Sequence, residues 1–360
     1  MPESAKVVRP EPAGTATYSQ ATRLNAAGLS PAIRLFEHFA DEVPLPRPPQ
    51  PILLADYGAG NGHNSLLPLS AAIARIRART RPEHAVLIAH TDIAENDFTE
   101  LFKTLADDPD SYLKKDAATF VSAVGRSFYQ QILPSNSVTL GWSSWAVQWL
   151  RRVPAPVTDH VHAAYSADTE LRAAYARQAA EDWHNFIAYR GRELCPDGRM
   201  VVLTMGADEG GDMGLRPVVD AIVAELDEMC RAGVLTTEEA AGMSIPMLGR
   251  TAKDFVAPFA PKGRFEGLRV EHHEVFDAED RFWTQYQADK DARAFGAKWA
   301  AFARASVLSL LADELHGPPD EARRTEFIDR LEHGVAQRLA ADPVRTPIPM
   351  ALVAVHKVAG

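Results

Sequence analysis

The sequence predicts an α/β protein with a doubly wound, mainly parallel sheet and a helical cap over the carboxyl ends of its strands. Three observations lead to this prediction. Short apolar runs alternate with helical patterns as far as residue 206, a glycine turn follows the first run, and the alternation breaks afterwards. With 360 residues, 46% of them hydrophobic, the chain is long enough to bury a large core.

The first strand and the turn behind it are the segment on which the other predictions depend. Residues 52–57 form a short apolar run bounded by Pro51, which is typical of a buried parallel strand. Three glycines at alternate positions, starting at Gly58, lead into a helix predicted over residues 63–79. Glycine permits a tight turn close to a ligand, and a helix start offers N–H groups to an anion such as a carboxylate.

The other elements follow from periodicity and from start and stop signals. Helices are predicted at 30–41, 99–106, 167–193, 215–232, 289–311 and 319–340, and strands at 85–90, 137–142, 199–206, 268–276 and 349–358. Ser30 before Pro31 and Thr236 are typical first residues of helices. Residues 143–150 are predicted to form a helical turn, residues 44–51 an extended linker and residues 245–267 part of a lid.

Composition and charge exclude several classes of function. A net charge of −10 argues against nucleic acid or an anionic membrane as the main partner. The two cysteines have no metal-type spacing, and no carboxylate or cysteine completes a metal site around the histidine pairs at 160/162 and 272/273. No apolar run suggests a signal peptide or a membrane span. We expect a soluble cytoplasmic protein without a metal site.

The acidic residue after the second strand decides between cofactors. In a dinucleotide-binding unit, the acidic residue that holds the ribose lies about 20 residues past the glycines. Here the second strand ends at Asp92, much further along, and Asp56 ends the first strand just ahead of the glycines. Both features favour S-adenosylmethionine (SAM) in a methyltransferase and argue against an NAD-dependent dehydrogenase.

Five segments also match the motifs of one known family in order. They are 17–25 (TYSQATRLN), 56–64 (DYGAGNGHN), 91–98 (TDIAENDF), 126–134 (RSFYQQILP) and 142–154 (WSSWAVQWLRRVP), with weaker matches at 196–201 and 245–246. The chain resembles the SABATH family of SAM-dependent carboxyl methyltransferases, which esterify salicylate, benzoate, jasmonate and similar acids and N-methylate xanthines. The resemblance implies a Rossmann-like methyltransferase sheet with a helical cap over the active site.

The resemblance also implies which residues bind the cofactor. An N-terminal segment would close over SAM, the glycine turn would line its methionine end, the end of the second strand would hold the ribose, and the loop at 127–128 would border the adenine. In that order, the implied residues are Tyr18 and Thr22; Asp56, Gly58 and Asn64; Asp92 and Ile93; and Ser127 and Phe128.

The implied acceptor site consists of Asn25, Trp145, Gln148 and Trp149. In the family, a glutamine amide and a tryptophan indole both donate to the substrate carboxylate. Trp149 keeps the indole, Asn25 is one methylene shorter than glutamine, and Trp145 replaces a tyrosine. The spacing of Trp142, Trp145 and Trp149 is equally compatible with one packed apolar helix face.

The predicted reaction is SN2 transfer of a methyl group to a small carboxylic acid, which gives its methyl ester. A carboxylic acid is already ionised at pH 7, so the reaction requires no general base and we assign no catalytic residue beyond positioning groups. The alternatives are N- or phenol-O-methylation of a small heteroaromatic compound, or a catalytically silent SAM-binding protein. We also expect a homodimer.

The same resemblance divides the chain into regions and bears on the size of the acid. Residues 30–210, 262–285 and 346–360 would form the SAM-binding core, residues 1–29 the segment that closes the site, and residues 211–261 and 286–345 the cap. Val219 stands where plant enzymes for small aromatic acids carry a tryptophan, which suggests a pocket for an acid bulkier than benzoate. The alternative is that Trp142 and Trp145 fill the space.

Overall fold

Seven strands form one sheet at the centre of the fold. The structure is a computed structural model that describes residues 16–260 and 262–359, with side chains from residue 29 onward. The strands are β1 Ile52–Tyr57, β2 Val86–Asp92, β3 Thr119–Gly125, β4 Val138–Ser144, β5 Leu194–Met205, β6 Leu268–Asp277 and β7 Pro349–Lys357. Their order across the sheet is β3-β2-β1-β4-β5-β7-β6.

Most of the sheet is parallel. β1 pairs in parallel with β2 and β4, β2 with β3, and β4 with β5, whereas β7 is antiparallel to both β5 and β6. The strand order reverses between β1 and β4, and open α/β sheets bind ligands at such a point, outside the carboxyl ends of the strands. The turns after β1 and β4 therefore occupy the expected place of a ligand site. The doubly wound α/β fold predicted from the sequence is confirmed.

Helices cover both faces of the sheet. They are α1 Ala16–Glu42, α2 His63–Arg77, α3 Phe98–Asp107, α4 Thr169–Glu193, α5 Arg216–Arg231, α6 Thr237–Gly242, α7 Ala252–Val256, α8 Arg281–Asp289, α9 Ala292–Ala303, α10 Ser309–Ala312 and α11 Glu321–Ala341. The alternation of side chains along β1 shows the two layers: Ile52 and Leu54 pack with α1 and α2, whereas Ala55 and Tyr57 pack with α4.

The helical turn predicted over residues 143–150 is wrong. β4 continues to Ser144, Trp145 has a left-handed backbone with a φ of 57°, and an irregular turn follows. Trp142 lies in β4, where it is fully buried and packs on Phe36 with ring centroids 5.0 Å apart. The apolar spacing suits a helix, but pairing of β4 with its two neighbouring strands extends the backbone instead.

The helix predicted to start at Ser30 begins at Ala16, and Pro31 lies inside it. Serine followed by proline is typical of a helix start because proline lacks the N–H that a first turn leaves unpaired. Here Leu29 and Phe36 are both buried, so the same face of α1 packs on the core on either side of the proline. Burial of a continuous face stabilises the helix across this position.

Three numbered elements, β3, α7 and α8, were not predicted, and one predicted helix is interrupted. β3 is an edge strand whose Phe120 is 56% exposed, so it shows neither an apolar run nor strict alternation. α8 also has no counterpart in the prediction. The helix predicted over 289–311 consists of α9, a π-helical turn at Arg304–Leu308 and α10. The division into core and cap stays a prediction.

Within the described residues, no helix has the length and apolar character needed to cross a membrane.

Candidate active site

The glycine turn after β1 touches the turn after β4. The N–H groups of Gly58 and Ala59 donate to the Thr91 carbonyl at 2.9 and 3.0 Å, which fixes the turn against the end of β2. Gly58 has a φ of +82°, and a Cβ added there would lie 2.3 Å from the Cβ of Ala146. Glycine is required at this position because a side chain would separate the two turns.

Asp92 and Asn96 hold the next part of the same turn. The Asp92 carboxylate accepts from the Gly60 N–H at 2.7 Å and from the Ile93 N–H at 2.8 Å, and the Asn96 amide donates to the Gly60 carbonyl at 2.9 Å. A Cβ added to Gly60 would meet no atom within 4 Å, so this glycine faces open space. The arrangement places a fixed carboxylate beside an open cleft at the edge of the sheet.

Burial raises the pKa of Asp92 to about 6. The N–H groups of Gly60 and Ile93 favour the ionised form and oppose this shift, whereas the charge of Asp56 adds to it. A carboxylate with a raised pKa gains from hydroxyl donors that stabilise its charge, and the two hydroxyls of a ribose are such donors. The site therefore fits the ribose of SAM at Asp92.

Asp56 belongs to a buried polar chain behind β1 and β2. Its carboxylate is 1% exposed and lies 2.7 Å from His90 Nδ1, and His90 Nε2 lies 2.6 Å from the Tyr112 hydroxyl. The other carboxylate oxygen, Oδ1, has no hydrogen-bond partner in the described part of the chain. In this structure the contacts of Asp56 are thus to the sheet.

The loop that carries Ser127 and Phe128 follows β3 and borders the glycine turn. The Phe128 ring packs against Tyr129 and Phe186, with centroid distances of 4.7 and 5.4 Å. Its Cε1 atom lies 3.3 Å from the position of a Cβ on Gly58. This ring presents a flat apolar surface beside the turn, which suits an adenine.

Arg190 and Glu193 at the end of α4 form hydrogen bonds to the backbone of this loop. The Arg190 guanidinium donates to the Phe128 carbonyl at 2.8 Å, to the Gln130 carbonyl at 2.9 Å and to the Glu193 carboxylate at 2.9 Å. Glu193 also accepts from the Tyr57 hydroxyl at 2.8 Å and from the N–H groups of residues 132 and 133. Both charged side chains are fully buried, so the pair connects the end of β1 to the loop.

The turn after β4 is held by a hydrogen bond at each of five successive carbonyls. Those of residues 145 to 149 accept, in order, from the Gln148 amide, the Trp149 N–H, the Arg250 guanidinium, the Leu248 N–H and the Tyr129 hydroxyl, at 2.8, 3.2, 2.6, 2.9 and 2.6 Å. The N–H of Trp145 donates to the Leu203 carbonyl. These bonds stabilise the left-handed backbone of Trp145, which is uncommon for a bulky residue.

A cavity of about 140 Å³ lies above this turn. Trp145, Gln148 and Trp149 line it together with apolar side chains from α5, from the segment 245–247 and from residues 302–307. An engineered cavity of about 150 Å³ accepts a benzene ring, so the volume is that of one aromatic ring.

The polar groups that line the cavity are almost all paired within the protein. The Gln148 amide donates to the Trp145 carbonyl and accepts from the Thr204 hydroxyl, and the Ser306 hydroxyl donates to the Phe302 carbonyl. The Trp145 indole N–H is buried without a partner, and no hydrogen bond joins the Trp149 indole to another described residue. The cavity is thus lined by two tryptophans whose indole N–H groups have no hydrogen-bond partner among the described residues.

A family model described as SAM-dependent carboxyl methyltransferase matches residues 6–357. The chain belongs to this family. Its methyl donor is SAM, as the sequence motifs and the position of Asp92 predict.

Individual relatives are more distant. Methyltransferase FUS9 of Gibberella moniliformis is 28% identical over 67% of this chain, and the match spans 64% of that relative's length. Salicylate carboxymethyltransferase of Clarkia breweri is 25% identical over 67% of each chain, and gibberellic acid methyltransferase 1 of Arabidopsis thaliana is 25% identical over 80% of each. A solved structure of loganic acid methyltransferase with SAH superposes with a TM-score of 0.76 and 17% identity, covering 98% of this chain and 99% of that one. This superposition confirms the methyltransferase fold.

Most of the residues that the family motifs imply come together in the structure. Asp92 and the Phe128 ring lie against the turn that contains Gly58, Ile93 donates to Asp92, and Ser127 precedes Phe128 in the same loop, whereas the Asp56 carboxylate bonds to His90 behind the turn. Asn64 is half-buried in the first turn of α2, and Trp145, Gln148 and Trp149 line the cavity. The backbones of Tyr18, Thr22 and Asn25 lie in α1, but their side chains are outside the described residues. Their roles stay predictions.

Sequence reasoning missed the residues that hold the two turns in place. Asn96, Tyr129, Arg190, Glu193 and Arg250 contact backbone groups of the site or bond to residues that do. Asn96 and Tyr129 lie inside segments that match family motifs, so closer attention to those motifs would have singled them out. No local pattern identifies the other three residues.

The affinity for SAM should depend on pH through Asp92. Because only the ionised carboxylate can accept both ribose hydroxyls, the dissociation constant should be flat above about pH 7. It should then rise about tenfold for each pH unit below the pKa of about 6. Calorimetric titration between pH 5 and 7 measures this dependence. Asp92→Asn should bind more weakly at pH 7 and show no pH dependence, whereas an equally flat profile in the unmodified protein would rule out the ribose assignment.

Proposed function

We propose that the protein transfers the methyl group of SAM to a carboxylate oxygen of a small acid. The main support is a cavity lined by Trp145 and Trp149, whose indole N–H groups have no hydrogen-bond partner among the described residues, and by no described charged side chain. The glycine turn reaches this cavity through the contact of Gly58 with Ala146, the residue directly after Trp145. A cofactor at the glycine turn and an acid in the cavity would therefore be neighbours.

The chemistry demands position more than proton transfer. When bound, SAM supplies an electrophilic methyl group that a carboxylate oxygen takes by direct displacement, so the C–S bond breaks and a neutral thioether leaves. The carboxylate is ionised at neutral pH, and no proton moves. The protein's part is to align the acid and to keep water out, which the apolar lining from α5 and from residues 302–307 favours.

The two indoles are suited to hold the acid. Trp149 supplies the donor that the family motif implies, with Asn25 as its expected companion. We assign a second donor to Trp145, whose buried N–H has no partner in the described part of the chain. Leaving such a group unpaired costs about 1–3 kcal/mol, which a bound carboxylate oxygen offsets. Gln148 is occupied by protein partners, so in this proposal it positions Trp145.

The size of the cavity bears on which acid fits. Val219 lines the cavity, as the family resemblance implies, but Phe302, Ile222 and Trp145 line it as well. The sequence suggested a pocket for an acid bulkier than benzoate, with a smaller pocket as the alternative. The volume of about 140 Å³ favours the smaller pocket. Trp142 is not one of the residues that fill the space. We therefore propose an acid of about one ring with an apolar body.

Two alternatives are less well supported. Methylation of a phenol or a ring nitrogen needs a group to remove a proton, and among the described residues that line the cavity none is acidic, basic or histidine. A catalytically silent SAM-binding protein would not need a second cavity with unpaired donors beside the cofactor site.

The cytoplasmic location, the homodimer and the division into core and cap also stay part of the proposal.

The product should be a methyl ester. With labelled SAM and a panel of acids, the labelled product should return the free acid on mild alkaline hydrolysis. Trp149→Phe and Trp145→Phe should each lower kcat/KM for the acid by about 10- to 100-fold, because a hydrogen bond to a charged group contributes about 1.5–3 kcal/mol. Trp142→Phe is the matched control, since this indole is in the core. A base-stable product would show that the acceptor atom is wrong.

The preference among acids should follow the cavity volume. Benzoate should be used with a kcat/KM more than tenfold above those of cinnamate and of a medium-chain aliphatic acid, which corresponds to about 1.4 kcal/mol. Val219→Ala should reduce this preference by adding space, and Val219→Phe should lower activity with benzoate. A preference for cinnamate in the unmodified enzyme would favour the larger pocket instead.

A further inference from the structure

Among the described residues, two arginines are buried, and each donates to backbone carbonyls of one turn of the site. Arg190 is fully buried and Arg250 is 2% exposed. Removing a guanidinium from water costs several kcal/mol unless it is paired or well hydrogen-bonded. Arg190 has Glu193 as a partner, whereas Arg250 forms no ion pair within the part of the chain that the structure describes. The charges of Asp182 and Asp254 also act on Arg250.

Arg250 connects the turn after β4, residues 145–150, to α4. We call this segment the acceptor turn. Its Nη1 donates to the Val147 carbonyl at 2.6 Å, and its Nε and Nη2 donate to the Ala179 carbonyl in α4 at 2.9 and 2.7 Å. Its own carbonyl accepts from the Ala207 N–H, directly after β5. The Val147 carbonyl lies between the two tryptophans of the turn, so its position affects where both indoles point.

Tyr129 adds a second connection to the acceptor turn. Its hydroxyl donates to the Trp149 carbonyl at 2.6 Å and also contacts Arg250. The ring is buried beside Phe128. Arg250 and Tyr129 together thus hold two of the five carbonyls of the turn.

Arg190 serves the other turn in the same manner. It donates to the carbonyls of Phe128 and Gln130, and its guanidinium stacks over the Tyr57 ring at 4.3 Å from the centroid. Tyr57 directly precedes Gly58 and bonds to Glu193. Arg190 therefore fixes the loop beside the adenine site relative to the end of β1.

We propose that each of the two arginines positions a different ligand, one the acid and the other the cofactor. Arg250 sets the geometry of the acid, through the turn at Trp145–Leu150, and Arg190 sets the affinity for the cofactor, through the loop at Phe128. The inference rests on the proposed function, because it places the acid at that turn. Neither arginine lies in the cavity or beside Asp92, so both are positioning residues.

The guanidinium group is needed at both places. Each arginine binds two different carbonyls at once, which requires donors fixed in one plane and pointing in different directions. A lysine keeps the positive charge but offers a single point of attachment. Replacement by lysine therefore tests geometry with little change of charge.

The test is a comparison of Arg250→Lys with Arg190→Lys in the full chain. Steady-state kinetics with varied benzoate and calorimetric titration with SAH separate the two ligands. Arg250→Lys should lower kcat/KM for benzoate at least tenfold and change the dissociation constant of SAH less than threefold. Arg190→Lys should raise the dissociation constant of SAH at least tenfold and change kcat at saturating SAM less than threefold. If both variants fold and each of them changes both readouts to a similar extent, that result would overturn the proposal.

Two milder variants decide the question if the lysine variants do not fold. Tyr129→Phe removes the bond to the Trp149 carbonyl, and Tyr57→Phe removes the bond to Glu193. Tyr129→Phe should lower kcat/KM for benzoate about threefold and leave the dissociation constant of SAH unchanged. Tyr57→Phe should raise the dissociation constant of SAH about threefold and leave kcat/KM for benzoate unchanged. If both measured quantities change together in either variant, or if neither changes, the proposed division of roles is contradicted. If the unmodified enzyme forms no ester, the proposed function fails on its own, before any variant is compared.

Discussion

The contact between Gly58 and Ala146 is the constraint on which both halves of the site depend. A Cβ at Gly58 would lie 2.3 Å from the Cβ of Ala146, so the two turns meet only because that atom is missing. β1 and β4 are neighbours at the point where the strand order reverses, which brings their carboxyl ends together. The turns after β1 and β4 thus lie in contact at one edge of the sheet.

Almost all polar groups of the candidate site already form hydrogen bonds within the protein. Backbone carbonyls of the acceptor turn are bonded to buried donors, and the amide of Gln148 is used at both ends. Among the described residues, the indole N–H groups of Trp145 and Trp149 have no protein partner, and the Asp92 carboxylate lies beside the open space at Gly60. Preorganised donors of this kind need no rearrangement when charge arrives, which suits a reaction without proton transfer.

Local sequence patterns predicted the elements that local physics controls. β1, the end of β2 at Asp92 and the N-cap at Thr236 follow from apolar runs and cap residues. The left-handed backbone at Trp145 could not be predicted, because a spacing of three and four residues suits a helix equally well. Arg190 and Arg250 were missed because their partners lie 62 and 103 residues away, at Phe128 and Val147. Such contacts are set by tertiary packing and leave no local signal.

The most direct test of the account is whether the two indole donors bind a carboxylate. The chain has six tryptophans, whose indole N–H resonances can be assigned by single replacement in ¹⁵N-labelled protein with saturating SAH. Adding benzoate should move the resonances of Trp145 and Trp149 and leave that of the core residue Trp142 in place, whereas benzamide should have little effect. Unchanged resonances of both residues at saturating benzoate, or equal shifts with benzamide, would contradict the account.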